Sequence, residues 1–257
     1  MAKDQTILFH STIFGPIHSR RLGVSLGVNL MPADGKVCSF DCIYCEAGYN
    51  SQGHGRAGLP SRRQVSDGLE EKLRSMEPLD VITFSGNGEP TLHPDFPAII
   101  DDTLALRDKY FPQAKVSVLS NSTRIFDPAV AEALKKVDNN ILKLDSAIEE
   151  TMRIIDCPQQ PGFTVDRVVE SLRQFAGNAI IQTMLLRGEH DGHTVDNTTP
   201  AEIDALIDAY RRISPRSVML YSLDRSTPEE HLVKVPHEEL ERIAARVRQA
   251  GIPVESF

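Results

Sequence analysis

Three cysteines fall within eight residues, in the segment Cys38-Ser-Phe-Asp-Cys42-Ile-Tyr-Cys45. Thiolates are soft ligands that select zinc or iron–sulfur clusters. A C-x3-C-x2-C loop is tight enough to wrap three of them around one corner of a cubane, leaving one metal position without a protein ligand. Structural zinc ordinarily wants two paired half-sites. Only one half is present here, so the spacing favours iron–sulfur. The fourth cysteine, Cys157, stands in Ile-Asp-Cys-Pro, far along the chain. It could complete a four-thiolate site, but reads more simply as a half-buried free thiol. Such clustering points to metal binding in a reducing compartment rather than to disulfides.

Short apolar runs alternate with longer amphipathic stretches, and these must position the loop. The pattern predicts strands over 25–31, 80–84, 115–119, 141–144, 179–186 and 217–223. It predicts helices over 62–76, 95–109, 128–136, 165–176, 200–213 and 236–250, with 252–254 as a short seventh strand. Strands that alternate with helices build a parallel sheet with right-handed crossovers. Six units fall short of the eight in a closed barrel. The expected fold is therefore α/β, a partial (βα)6 parallel-stranded barrel. It forms one domain over 1–257, with a core of about 22–225 and a C-terminal helix and tail over 226–257. In such folds the reactive groups gather at the C-terminal strand ends. The cysteine loop, Ser85-Gly-Asn-Gly-Glu-Pro-Thr91, Ser120-Asn121-Ser122, Asp145-Ser146 and Tyr221-Ser222 all fall there. The Gly-rich polar stretches 47–61 and 188–199 are expected to be loops.

Composition bounds the function. With 40% hydrophobic and 25% charged residues, the chain can build an ordinary core. A formal net charge of −8 opposes binding to bulk nucleic acid, which needs a basic surface. No run reaches the roughly 18–20 apolar residues that span a bilayer. The first residues lack a secretory pattern, so a cytosolic (cytoplasmic) protein is expected.

The cysteine spacing, with aromatic Tyr44 just before the third cysteine, resembles the signature of the radical S-adenosylmethionine (SAM) superfamily. Gly86-Asn87-Gly88-Glu89-Pro90 resembles the Gly-Gly-Glu-Pro motif that follows its second strand, with Asn87 where a second glycine is usual. Residues 15–29 are similar to the lead-in of a subgroup of short iron–sulfur oxidoreductases, akin to the catalytic domain of wyosine-forming tRNA enzymes. The ordered similarity runs through Asp224-Arg225.

This resemblance implies an oxygen-sensitive [4Fe–4S] cluster on Cys38, Cys42 and Cys45, whose free iron binds the amino and carboxylate groups of SAM. A flavodoxin or ferredoxin-type donor would supply an electron. SAM would then split to a 5′-deoxyadenosyl radical that abstracts hydrogen from a small-molecule, peptide or nucleotide substrate. The backbone of Gly86, Asn87 and Gly88 would meet the SAM amine, with Glu89 as acidic neighbour or loop organiser. Ser120 and Asn121 would meet ribose or carboxylate, and Asp145 and Ser146 the ribose hydroxyls. Tyr44 and Phe40 would pack around cluster and adenine. Gln182 and Thr183 are expected inside the barrel.

Two other readings stay open: a tRNA-base-modifying enzyme, and a non-catalytic zinc or electron-transfer module. His18, Arg20 and Arg21 either bind an anionic substrate or the donor, or form a solvated basic turn. His190 and His193 read as a polar loop rather than a second metal site. Tyr221 and Cys157 are candidate radical relays, and no residue is assigned as a substrate base.

Overall fold

The structure, a computed structural model, describes residues 7–19, 21–225 and 227–257. Its strands are Ile13–Ser19 (β1), Gly23–Val28 (β2), Val81–Phe84 (β3), Lys115–Ser120 (β4), Asn139–Lys143 (β5), Ala179–Met184 (β6), Leu186–His190 (β7), His193–Asp196 (β8), Ser217–Tyr221 (β9), Leu232–Lys234 (β10) and Val254–Ser256 (β11). Its helices are Arg62–Ser75 (α1), Phe96–Tyr110 (α2), Pro128–Lys136 (α3), Glu149–Asp156 (α4), Val165–Leu172 (α5), Pro200–Ile213 (α6) and His237–Gln249 (α7).

Eight strands form one sheet in the order β1-β2-β3-β4-β5-β6-β9-β11. Every pair after β1–β2 is parallel. The central strands are buried on both faces, which explains their mostly apolar sequences. The six expected parallel strands are all present, and the tail supplies the seventh. Both terminal strands, β1 and β11, are sheet edges that do not pair with each other, so the barrel is open along one seam.

Helix starts follow from local chemistry. Ser61 accepts from the Gln64 amide in a capping box, Asp127 caps α3 with Pro128 at its first position, and Thr199 caps α6 ahead of Pro200. Most buried side chains form one core between sheet and helices. A second, smaller cluster lies inside the barrel: Ile141, Ile180 and Met219, with Leu22, Leu119 and Phe257 packed on it.

Three features depart from the sequence reading. β1 adds an antiparallel strand before the first parallel one. The stretch 188–199 is no loop but belongs to the β7–β8 hairpin, whose turn Asp191-Gly192 has positive φ at both residues, and β10 adds to its other edge. Helix α4 precedes Cys157, which ends it in the left-handed conformation. Stretch 47–61 is irregular apart from one turn of 3₁₀ helix at Asn50–Gln52. Among the described residues no helix is long and apolar enough to cross a membrane.

Candidate functional site

The cysteine loop follows β2 and is pinned on two sides by main chain. On one side the Val37 amide donates to the Asn87 carbonyl (3.0 Å), and the Glu89 amide donates back to the Val37 carbonyl (3.0 Å). On the other, the amides of Asp41 and Ile43 donate to the carbonyls of Asp156 (3.1 Å) and Ile155 (3.0 Å) at the end of α4. Asn50 closes the loop from within. Its Oδ1 accepts from the Cys38 amide (3.1 Å), and its Nδ2 donates to the carbonyls of Cys38 (3.0 Å) and Phe40 (3.2 Å). The register explains why Gly88 cannot be replaced: at φ +136°, a Cβ there would lie 1.8 Å from the Val37 oxygen. Asn87 needs no such freedom, so the usual second glycine is dispensable.

Cys42 is buried, and Cys38 and Cys45 are half-buried. Burial pushes the Cys38 thiol up to about 12, with the Glu89 charge adding to it, and raises Cys42 well above the ordinary thiol range. Beside them the ammonium of Lys36 is only 2% exposed and donates to the Gly48 carbonyl (2.6 Å). Burial works to lower the Lys36 pKa, but Cys45, Cys38, Cys42 and Asp41 outweigh it and hold it above the lysine range. Metal ligation deprotonates such thiols outright. Among the described residues no three His, Cys, Asp or Glu side chains are grouped to hold a single metal ion. Three thiols on one loop, with buried cations to offset anionic charge, fit an iron–sulfur cluster.

The polar strand ends mainly hold one another. Glu89 is buried, and its carboxylate accepts from the Thr91 amide (3.0 Å), the Ser120 hydroxyl (2.9 Å) and the Asn121 amide (2.6 Å). It therefore ties the end of β3 to the end of β4. Asn121 passes the link on, donating to Ser39 Oγ (2.9 Å) and contacting Cys38 Sγ (3.5 Å). Two side chains at the strand ends turn to protein partners. The Asn87 side chain turns away to bond both Phe9 (2.8 and 3.0 Å) and the Pro32 carbonyl (2.8 Å). Ser146 turns outward to Glu202 on α6 (2.7 Å) and caps the turn at Ile148. In both, a buried polar group found a nearer partner.

Asp145 accepts from the Met184 amide (2.8 Å), and its other oxygen takes the Tyr44 hydroxyl and the Lys143 ammonium. Lys143 also reaches Asp156 (3.2 Å) and stands 4.5 Å from the centre of the Tyr44 ring. Asp156 Oδ1 in turn lies 3.6 Å from Cys42 Sγ. The sequence reading missed Lys36, Asn50, Lys143 and Asp156. Only Lys143 carried a signal, a charge two residues after inward Ile141 on a strand whose other residues are apolar or amide.

The barrel holds a cavity of about 470 Å³, within the range of small-molecule sites, and Glu46, the residue after Cys45, is part of its lining. Ser25, Thr83, Leu119, Met184 and Tyr221 line it from the strands, and Arg21 enters from the β1–β2 turn. His18 lines its rim; Arg20 lies outside the described residues. His190 and His193 face each other across the hairpin turn, without a third ligand among the described residues. Cys157 lies after α4, and its thiol donates to the Ile154 carbonyl (3.2 Å).

Comparison with known proteins places this geometry. The family profile described as Radical SAM superfamily matches residues 34–197, well over half of the chain. A protein named GTPase Obg, from Brachyspira hyodysenteriae, is 29% identical over 98% of this chain, which covers 36% of that protein. A UPF0026 protein of Helicobacter pylori is 28% identical over 83% of this chain and 66% of its own length. The chain thus spans from about a third to under two thirds of the length of these relatives. Among solved structures, a radical SAM methyltransferase from Sphaerobacter thermophilus superimposes with TM-score 0.67 at 15% identity, over 91% of this chain and 65% of that one. TYW1 with a lysine-pyruvate adduct bound gives 0.59 at 16%, over 88% and 73%. These likenesses show a shared fold. The matched residues take in the cysteine loop, the Gly86–Glu89 strand end and Asp145, and the chain belongs to the radical SAM superfamily, whose cofactors are SAM and a [4Fe–4S] cluster.

Proposed function

We propose that this chain reductively cleaves SAM at a cluster held by Cys38, Cys42 and Cys45, and that the barrel lumen receives the substrate. The observation that carries the reading is the main-chain seam that holds the cysteine loop against the Gly88 strand end, with Glu46, the residue after Cys45, lining the cavity. When bound, the cluster and SAM supply electron-driven carbon–sulfur cleavage, giving methionine and a 5′-deoxyadenosyl radical that takes a hydrogen atom from the substrate. The protein's own work is positional. Lys36 and Lys143 offset thiolate charge in a dry setting. Glu89 and Asn121 fix the strand ends against Cys38. The apolar plug below excludes water from the lumen. A flavodoxin or ferredoxin-type partner delivers the electron.

The test is anaerobic reconstitution with iron and sulfide, reduction by dithionite or flavodoxin, and assay for 5′-deoxyadenosine after adding SAM. Cleavage by the loaded chain, abolished by Cys42→Ala, is expected. A cluster-loaded chain that leaves SAM intact under both reductants refutes the reading, as does one stoichiometric zinc with no cluster absorbance.

A further inference from the structure

Two buried donors in the barrel have no partner. One is Nη1 of Arg21, the other Nε2 of Gln182. Gln182 is 9% exposed and shares the inward face of β6 with Met184, which lines the cavity. Arg21 lines the same cavity, and its guanidinium lies 4.7 Å from the centre of the Tyr221 ring. Contact with the ring face restrains the guanidinium, whose N–H donors remain free to form a fork with an anion. Among the described residues Arg21 makes no ion pair, although two carboxylates line the same space. Glu46 is held by Arg225 (2.7 Å), and Asp224 pairs with Lys234 (3.3 Å).

Leaving a charged donor unsatisfied inside a fold is costly, and buried charges are ordinarily paired. Below, the plug of Ile141, Ile180 and Met219 offers no acceptor and keeps the local dielectric low, which strengthens any charge-assisted bond made there. Tyr221 is within electrostatic reach of Arg21 and also of Lys143, Asp145 and Cys42. Across the sheet Tyr221 pairs with Met184, whose amide donates to Asp145 (2.8 Å).

We infer that the lumen holds the anionic end of the substrate, a carboxylate or a phosphate, on the edge of Arg21 stacked against Tyr221, with Gln182 as a second donor. This rests on the lumen being the substrate chamber, and it narrows the substrate to an acid. Guanidinium and carboxylate or phosphate match as a two-bond fork, which fixes the acid's orientation and turns the remainder of the molecule toward the cysteine loop.

The test uses the cluster-loaded chain with saturating SAM, under anaerobic ligand-observed NMR. The probes are propionate against propionamide, and ribose 5-phosphate against ribose. One charged probe should bind and its neutral counterpart should not, and the arm that binds tells carboxylate from phosphate. Arg21→Met should weaken that probe by about 10- to 150-fold, the range for charged hydrogen bonds. Arg21→Lys should fall between, because it keeps charge and loses the fork. Gln182→Leu should cost a smaller factor. Iron content of each variant reports that the fold is intact. The inference is overturned if neither charged probe binds wild type, if Arg21→Met binds as tightly, or if that variant loses SAM affinity instead. Wild-type 5′-deoxyadenosine formation is read separately. Cleavage without anion binding sinks this inference alone, and Arg21-dependent anion binding without cleavage sinks the proposed function alone.

Discussion

Replacing Glu89 by glutamine changes one atom at the junction of β3, β4 and the cysteine loop. One carboxylate oxygen serves the Thr91 amide and the Ser120 hydroxyl, and the other serves the Asn121 amide at 2.6 Å. A glutamine amide has only one acceptor oxygen, so in either orientation a buried backbone N–H faces an N–H₂ group. Leaving one buried donor unsatisfied costs about 1–3 kcal/mol. Glu89→Ala strands both amides, about 2–6 kcal/mol. For a chain of this size each kcal/mol moves the unfolding midpoint by roughly 2–4 °C, so Glu89→Gln should lose roughly 2–12 °C and the alanine variant about twice that. Scanning calorimetry on cluster-free protein under argon reads the scaffold alone. Iron per chain after reconstitution should fall in step, because Asn121 also contacts Cys38. A Glu89→Gln midpoint within about 1 °C of wild type would refute the claim that this carboxylate is a scaffold acceptor.

Gly88→Ala drives a Cβ into the Val37 oxygen and breaks both main-chain bonds of the seam. With about 1 kcal/mol per bond plus 1–3 kcal/mol of strain, it should cost about 3–5 kcal/mol and abolish cluster loading. Gly177→Ala, with positive φ but nothing within 4 Å, should cost only about 1 kcal/mol and load normally. Cys157→Ala should retain full iron by elemental analysis, while alanine at Cys38, Cys42 or Cys45 should not. Glu70 accepts from Lys109, from Tyr110 and from Arg74, which lowers its carboxyl from 4.5 to about 2. Its contribution to stability is therefore complete above about 4.5 and lost as pH falls toward about 2. Glu70→Gln should flatten the fall of the unfolding midpoint with pH across that window, and an unchanged slope would contradict the assignment.

The parallel strands were legible because strands covered on both faces must be mostly apolar, as Val81–Phe84 is with Thr83 its one polar residue. The β7–β8 hairpin was not, because Leu186–His190 and His193–Asp196 carry mixed polar residues that resemble a loop. The Asp191-Gly192 pair was its one readable signal. Helix α4 is eight residues long, too short for periodicity to distinguish it. At the site, the cysteines and glycines were readable from type and spacing. The side-chain partners of the polar strand ends were not readable: Asn87 turns to the Pro32 carbonyl and Ser146 to Glu202. Sequence reports that a polar group sits at a strand end, whereas its partner is fixed by three-dimensional neighbours such as Phe9 and Glu202, which lie far off along the chain. The Arg21–Tyr221 stack joins residues two hundred positions apart for the same reason.

The unpaired edges of β1 and β11 have a mechanical consequence. In a closed barrel, widening the wall ruptures a ladder of backbone hydrogen bonds. Here the gap between the outermost strands can spread with every ladder bond intact, resisted only by side-chain contacts. The girth of the barrel is therefore set by side-chain packing rather than by a sealed ladder, so this wall can yield to a bulky occupant where a closed one could not.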